Sequence, residues 1–271
     1  LQSIHIPTSV TSIGARAFSG CRNLQSIDLP ESVISIGDWA FSQCVSLQSL
    51  KIPNFVANIG EGTFSFCKSL QNINIPESVN SIGERVFLGC NIQEIKINSR
   101  YFIVDNSCLF DSLKHKLICC YKTNIIEYTI PDFVTSIGKE AFRGCDIKEL
   151  NIDSNYFFTD DFCLFDSFKH KLICCYKKSI EDYIIPESVT AIGDYAFYDC
   201  KSLHSINIPA SVTSIGERTF FGCESLQSIN IPASVTSIGE RAFSGCKSLQ
   251  SINLPASVTA IGKEAFSGCK S

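Results

Sequence analysis

A repeat of 23 residues constrains the fold of this chain more than any other feature. Residues 226–248 read LQSINIPASVTSIGERAFSGCKS, and residues 249–271 differ from them at only a few positions. Self-similarity at a fixed period of about 20 to 50 residues is the sequence signature of a solenoid. Each repeat of a solenoid contacts only its neighbours, so chain length alone does not predict a number of globular domains.

Eleven repeats account for the whole sequence. They begin at Leu1, Leu24, Leu47, Leu70, Ile92, Ile125, Ile147, Ile180, Leu203, Leu226 and Leu249. Two of them, residues 92–124 and 147–179, are longer by about ten residues. Neither terminus resembles the polar cap of a solenoid. We therefore predict one solenoid over residues 1–271 and expect it to be a segment of a longer chain.

Each ordinary repeat predicts two short extended segments. Residues 226–231 end in an apolar and polar alternation with β-branched residues, which is typical of a strand. The proline that follows ends the strand, because it has no N–H to donate. Val235 and Ile238 should point inward from a second extended segment, and Gly239 should allow a turn that a Cβ would obstruct. Residues 240–243 predict one short helical turn, which makes the expected fold an α/β-type solenoid rich in β-structure.

Phenylalanine and cysteine recur at fixed positions of the repeat. Position 18 is phenylalanine in nine repeats, which predicts a stack of rings in the core. Position 21 is cysteine in nine repeats. Equivalent residues of neighbouring parallel strands lie about 4.8 Å apart, whereas the Cβ atoms of a disulfide lie about 3.8 Å apart. We therefore predict a ladder of buried free thiols.

The two long repeats carry the six remaining cysteines. In each of them the segments CLFD and LICCY flank a polar turn, which predicts a β-hairpin. Cys108 can approach Cys119 or Cys120 across the first hairpin, and Cys163 can approach Cys174 or Cys175 across the second. Disulfides are possible at both places, but we favour free thiols.

These residues resemble the BspA-like class of leucine-rich repeats, whose pattern is LxxIxIPxxVxxIGxxAFxxC. Nine of the eleven repeats carry nearly all of it. The resemblance implies a right-handed, curved leucine-rich repeat solenoid with a parallel sheet inside. It also implies a secreted or cell-surface protein of a host-associated microbe, an adhesin that binds host matrix proteins or other microbial proteins. The alternative is a cytoplasmic scaffold in a larger intracellular assembly, which the free thiols would suit.

Composition and motifs argue against several other functions. The net charge is −4 and the isoelectric point is about 5.6, so we expect no nucleic-acid partner. No apolar run approaches the roughly 20 residues that cross a bilayer, so we expect no membrane insertion within this segment. The four histidines and fifteen cysteines show no spacing typical of a catalytic triad or a metal site. We predict no enzyme, no catalytic residue, no metal and no cofactor.

The predicted binding site lies on the concave strand face, where solenoids usually bind partners. Positions 3 and 5 of each first strand should point outward there, and they vary most in the middle of the array. A merely solvated strand face is an equal alternative. The predicted protein-binding residues are Lys51, Asn74, Glu94, Lys96, Glu127, Thr129, Glu149, Asn151, Asp182 and Ile184.

The two hairpin turns share the sequence KHK. They place Lys114, Lys116, Lys169 and Lys171 where a polyanion could bind. Asp111 and Asp166 lie close in sequence and would offset this charge. We therefore favour a solvated turn over a polyanion contact.

Overall fold

The computed structural model describes residues 1–113, 115–168 and 170–270. The chain forms two compact units. Unit 1 comprises Leu1–Tyr128 and Phe133–Asp146, and unit 2 comprises Thr129–Asp132 and Ile147–Ser271. Each unit is a stack of short β-strands joined by turns, and the described residues contain no helix. The predicted solenoid class is therefore confirmed, without its α-helical component.

The strands fall into three sets, numbered here in chain order. The first strands of the repeats are β2 (Ser26–Ile27), β4 (Ser49–Leu50), β6 (Asn72–Ile75), β8 (Glu94–Ile97), β12 (Glu127–Ile130), β14 (Glu149–Ile152), β18 (Asp182–Ile184), β20 (Ser205–Asn207), β22 (Ser228–Asn230) and β24 (Ser251–Asn253). The second strands are β1 (Ser12–Ile13), β3 (Ser35–Ile36), β5 (Asn58–Ile59), β7 (Ser81–Ile82), β13 (Ser136–Ile137), β19 (Ala191–Ile192), β21 (Ser214–Ile215), β23 (Ser237–Ile238) and β25 (Ala260–Ile261). The hairpin strands are β9 (Phe102–Asp105), β10 (Cys108–Asp111), β11 (Lys116–Cys120), β15 (Phe157–Thr159), β16 (Cys163–Asp166) and β17 (Lys171–Cys175).

The second strands stack in parallel with equivalent residues in register. In unit 1 the sheet order is β1-β3-β5-β7, and Ile36 pairs with Ile13 on one side and with Ile59 on the other. In unit 2 the strands β19, β21, β23 and β25 follow the same order, and Ile215 pairs with Ile238. These isoleucines point inward, because the outward alternate positions carry serine, asparagine or alanine.

The long repeats contain the predicted hairpins and one further strand. β10 pairs antiparallel with β11, and β9 adds to the other side of β10. β11 then pairs in parallel with β13, with Leu117 opposite Ile137. In unit 2 the same arrangement joins β15, β16, β17 and β19. The last strand of each hairpin therefore occupies the place of a second strand in the stack.

The phenylalanines of position 18 stack within each unit, as predicted. The ring centroids of Phe18 and Phe41 are 5.2 Å apart and their planes differ by 5°. In unit 2 the rings of Phe220 and Phe243 are 5.3 Å apart and differ by 14°. Phe142 departs from this pattern, since it meets the ring of Tyr128 edge to face.

The cysteines of position 21 form the predicted ladder of free thiols. Thirteen cysteines are free, and all nine of this position are among them. Most donate a hydrogen bond to the carbonyl oxygen of a phenylalanine in the preceding repeat, as Cys67 does to Phe41 over 3.1 Å. The thiol therefore fills core space and also joins one repeat to the next.

The short helical turn predicted at residues 240–243 is wrong. These residues form a hydrogen-bonded turn in which Arg241 has a φ of 53° and Gly245 a φ of 77°. A right-handed helix needs negative φ throughout, so a left-handed residue every four positions excludes it. The same two positions are left-handed in other repeats, for example at Trp39 and Gln43.

Candidate functional site

In unit 1 the outward positions of the first strands are exposed, as the sequence predicted. Lys51, Asn74, Glu94 and Lys96 are all exposed, whereas Ile73 and Ile95 between them are buried. Asn74 lies directly opposite Lys96, since β6 and β8 pair in parallel. The structure thus brings Asn74, Glu94 and Lys96 together on one strand face.

The charges of this unit 1 face are paired within it or beside it. Lys51 forms an ion pair with Glu31 over 2.6 Å, and this hydrogen bond lowers the pKa of Glu31. The Lys96 ammonium lies 3.8 Å from the Glu94 carboxylate. Exposed pairs of this kind contribute little to stability, so they leave both signs of charge accessible to a partner.

Strand β12 carries two predicted residues, Glu127 and Thr129. Glu127 is exposed and belongs to unit 1, while Thr129 is half-buried and belongs to unit 2. Thr129 therefore presents less surface than its neighbours on the predicted face.

In unit 2 the remaining predicted residues are exposed on β14 and β18. Glu149 and Asn151 are exposed on β14, and Asp182 accepts a hydrogen bond from Ser205 over 2.6 Å. Ile184 has 73% of its surface exposed and lies opposite Asn207. The ten predicted residues are thus two groups, one on each unit.

The polyanion contact, which is the alternative to a solvated turn, finds no support in the turn of the first hairpin. Lys116 forms an ion pair with Glu84 over 2.5 Å, so a carboxylate already neutralises it. Lys171 is exposed. Lys114 and Lys169 lie outside the described residues.

The second hairpin has an exposed aromatic group that sequence reasoning missed. Tyr156, Phe158, Phe162 and Phe168 are all exposed there. The rings of Tyr156 and Phe168 lie 5.3 Å apart. The first hairpin has Tyr101, Ile103, Ser107 and Leu113 at the corresponding positions. A comparison of the two long repeats position by position is the signal that would have found this difference.

A buried ion-pair network in unit 1 was also missed. Arg85 Nε lies 2.9 Å from Glu140 Oε2, and Arg143 Nη1 lies 2.6 Å from Glu140 Oε1. Both Arg85 and Glu140 are buried. Breaking such a pair by removing one partner is costly, because it leaves an uncompensated charge in the protein. We therefore expect the loss of any one of these charges to destabilise unit 1.

The preference for free thiols in both hairpins is wrong for the first one. Cys108 and Cys120 are joined by a disulfide, because β10 and β11 place them directly opposite each other. Cys163 and Cys175 are opposite each other in the same way but are free. Parallel spacing argues against disulfides only in the ladder, and the antiparallel hairpin brings its cysteines closer.

The described residues contain no group of three or more histidine, cysteine, aspartate or glutamate side chains placed to hold a metal ion. In the same residues no helix is long and apolar enough to span a bilayer.

Stacked two-strand repeats with a leucine, isoleucine and phenylalanine core define this chain as a leucine-rich repeat protein. The family described as "BspA type Leucine rich repeat region (6 copies)" matches residues 1–116, 115–174 and 171–271. The chain therefore belongs to the BspA-type leucine-rich repeat family.

Two solved structures are similar to this chain. One is a leucine rich cell surface protein from Faecalibacterium prausnitzii, 26% identical with a TM-score of 0.53, which covers 96% of this chain and 81% of its own. The other is a leucine-rich repeat protein from Eubacterium ventriosum, 23% identical with a TM-score of 0.53, which covers 99% of this chain and 82% of its own. No curated protein matches the sequence.

Proposed function

We propose that the chain is a non-enzymatic protein-binding repeat module of a microbial cell-surface adhesin, which contacts host matrix proteins or other microbial proteins. One observation carries this proposal. The outward positions of the first strands are exposed and chemically varied, whereas the inward positions repeat the same apolar residues. Repeat proteins bind partners through such extended faces.

The chemistry of the two faces suits a protein partner. The unit 1 face offers both signs of charge at Lys96 and Glu94, and the unit 2 face offers the exposed Ile184 beside Asp182. Protein interfaces combine an apolar core with a polar rim in this way. The exposed aromatic group of the second hairpin adds residue types that are enriched at interfaces.

A cell-surface location is supported by two observations. The similar protein of Faecalibacterium prausnitzii is described as a cell surface protein. The Cys108–Cys120 disulfide is of the kind that persists in an oxidising compartment.

The second candidate is a scaffold in an intracellular assembly. The thirteen free cysteines favour it, since a reducing interior keeps thiols free. Labelling of intact cells with a membrane-impermeant biotin reagent separates the two candidates. Labelling of the protein on intact cells supports the adhesin, and labelling only after lysis supports the scaffold.

The binding proposal is tested on immobilised collagen, fibronectin and laminin and on the surface proteins of other microbes. Lys96→Glu changes the unit 1 face and Glu149→Lys changes the unit 2 face. If the partner binds unit 1, Lys96→Glu should weaken the affinity at least about fivefold, and if it binds unit 2, Glu149→Lys should do so. The reason is that a charge reversal brings like charges together at the interface.

Two matched variants control for a general effect of charge. Lys68→Glu and Glu187→Lys make the same changes at exposed positions of units 1 and 2 outside the first strands, and they should leave binding unchanged. Unchanged binding in the double variant Lys96→Glu with Glu149→Lys would contradict the proposed binding sites. Failure of wild type to bind any protein of the panel would count against the adhesin.

A further inference from the structure

The two hairpins carry equivalent cysteine pairs, of which one is bonded and the other is free. Cys108 and Cys120 pair directly across β10 and β11, and Cys163 and Cys175 pair directly across β16 and β17. Both pairings shift register at the same place, after Leu109 in one hairpin and after Leu164 in the other. The backbone that supports the first disulfide is therefore repeated under the second pair.

The two cysteines of the second pair face each other without a bond. Cys163 lies directly opposite Cys175 across β16 and β17, and both thiols are free. Both side chains are buried. A cross-strand pair of this geometry needs no large backbone movement to form a bond.

We propose that Cys163 and Cys175 are a second disulfide site, which closes to a cross-strand bond by exchange with a small-molecule disulfide of the glutathione class. The chain then carries one or two cross-links, according to the redox state around it. The first bond, in unit 1, is the harder of the two to reduce, and the second is a more easily reduced cross-link within unit 2.

The step balances without any further reactant. The thiolate of Cys175 attacks the small disulfide, forms a mixed disulfide and releases one small thiolate, which takes up a proton. The thiolate of Cys163 then attacks the Cys175 sulfur and releases the second small thiolate. Two protein thiols are oxidised, and one small disulfide is reduced to two thiols.

Contacts around the reduced cysteines distinguish the second pair from the first. Lys178 Nζ donates to the Cys175 carbonyl oxygen over 2.8 Å and lies 3.8 Å from the Cys200 sulfur. The Cys175 thiol donates to the Lys177 carbonyl oxygen over 3.2 Å. Lys178 is replaced by Thr123 at the corresponding position after the first hairpin.

The tyrosine that follows each hairpin also differs in its contacts. Tyr183 donates to the Asp160 carboxylate, which also accepts the backbone N–H of Cys163 over 2.9 Å. The corresponding hydroxyl of Tyr128 has no hydrogen-bond partner among the described residues. Because oxidation would remove the hydrogen bond that the Cys175 thiol donates to Lys177, the second bond should be reduced more easily than the first.

Burial controls access to the site. Desolvation raises the pKa of Cys163, and burial hides both sulfurs from an oxidant. Exchange therefore proceeds when the second hairpin opens locally, as elements of a folded protein do. The rate of oxidation should rise with concentrations of urea too low to unfold the chain.

The test uses the full chain, reduced and then equilibrated at a series of glutathione to glutathione disulfide ratios. Samples are quenched with acid, alkylated after denaturation and mapped by peptide mass spectrometry. We expect a Cys163–Cys175 linked peptide and two fewer alkylated cysteines than the thirteen free ones of the structure. Half-oxidation should need a redox buffer at least about tenfold more oxidising than the first pair needs.

Lys178→Thr gives the second hairpin the threonine that follows the first. It should reduce the difference between the redox buffers that the two pairs need for half-oxidation. Lys263→Thr makes the same change at an exposed lysine of unit 2 outside the hairpin and should leave this difference unchanged. The proposal is overturned if Cys163 and Cys175 stay fully alkylated in the most oxidising buffer. It is also overturned if Cys175 is linked to Cys174 or Cys200, or if both bonds form at the same ratio.

Discussion

The thiol of Cys223 donates a hydrogen bond to the backbone carbonyl oxygen of Phe197, 26 residues earlier, over 3.2 Å. Cys246 makes the same contact with Phe220 over 3.2 Å. The Phe197 oxygen also accepts the backbone N–H of Cys200 over 3.1 Å, so the thiol adds a second hydrogen bond to a carbonyl group in the core.

We expect Cys223→Ala to destabilise the protein by about 2 kcal/mol, because it removes this hydrogen bond and leaves a small cavity. The measurement is the urea midpoint of unfolding followed by circular dichroism. Cys269→Ala is the matched control, since Cys269 is only partly buried, and its midpoint should fall by less. Equal losses in the two variants would contradict a role for burial.

The ladder also predicts a pH dependence. Burial raises the pKa of Cys44 to about 11 and that of Cys246 to about 12, against an ordinary value of 9.0. The folded state therefore holds these protons at pH values where the unfolded state has lost them. The stability is fully present below about pH 9 and falls as the pH rises toward the folded-state values.

Urea unfolding at pH 7.5, 9.5 and 10.5 measures this effect in buffers without added oxidant. Each buried thiol lowers the free energy of unfolding by up to about 1.4 kcal/mol per pH unit above the unfolded-state pKa. Cys246→Ala should remove the share of one thiol from the slope. The same slope in wild type and variant would show that other groups cause the loss.

Much of the fold could be predicted from the sequence, because every repeat places the same residue type in the same environment. Phe220 and Val235 are buried as predicted, and the outward residues Lys96 and Ile184 are exposed. Because the pattern repeats, the inward and outward positions can be recognised from the sequence even in strands of two to four residues.

Contacts that depend on one repeat alone could not be predicted. The pairing of Arg85 with Glu140 joins residues far apart in sequence, and no spacing rule connects them. The hairpin cysteines have the same sequence context in both copies, yet only Cys108 and Cys120 are bonded. The turn at Arg241 resembles a helical segment in composition, and only its backbone angle distinguishes it.

The glycine at position 14 of the repeat predicts a steric effect. A Cβ added at Gly239 would lie 2.5 Å from the Gly216 carbonyl carbon and oxygen of the preceding repeat. Gly239→Ala must therefore push two turns of unit 2 apart, which should cost about 1 to 3 kcal/mol. Thermal unfolding monitored by circular dichroism measures this loss.

Gly14 is the matched control, because it has the same position in its repeat and nothing within 4 Å of an added Cβ. Gly14→Ala should leave the melting temperature nearly unchanged. If both variants lowered it equally, backbone conformation rather than close stacking would explain the glycine.

Position 20 of the repeat offers a stabilising change. Gln43 is exposed and has a φ of 61°, and a non-glycine residue is strained by about 1 to 2 kcal/mol in this left-handed region. Glycine removes the strain but loses more conformational entropy on folding, by roughly 0.5 to 1 kcal/mol. We therefore expect Gln43→Gly to stabilise the protein by about 0.5 to 1 kcal/mol, measured as a higher urea midpoint.

Gln48→Gly separates relief of strain from a general effect of glycine. Gln48 is also exposed but has no positive φ, so the substitution brings the entropic cost without removing strain. It should lower the urea midpoint by the equivalent of about 0.5 to 1 kcal/mol. The urea midpoint should therefore rise for Gln43→Gly, where glycine removes strain, and fall for Gln48→Gly, where it does not. A destabilised Gln43→Gly would mean that the side chain gains more from its surroundings than the backbone loses.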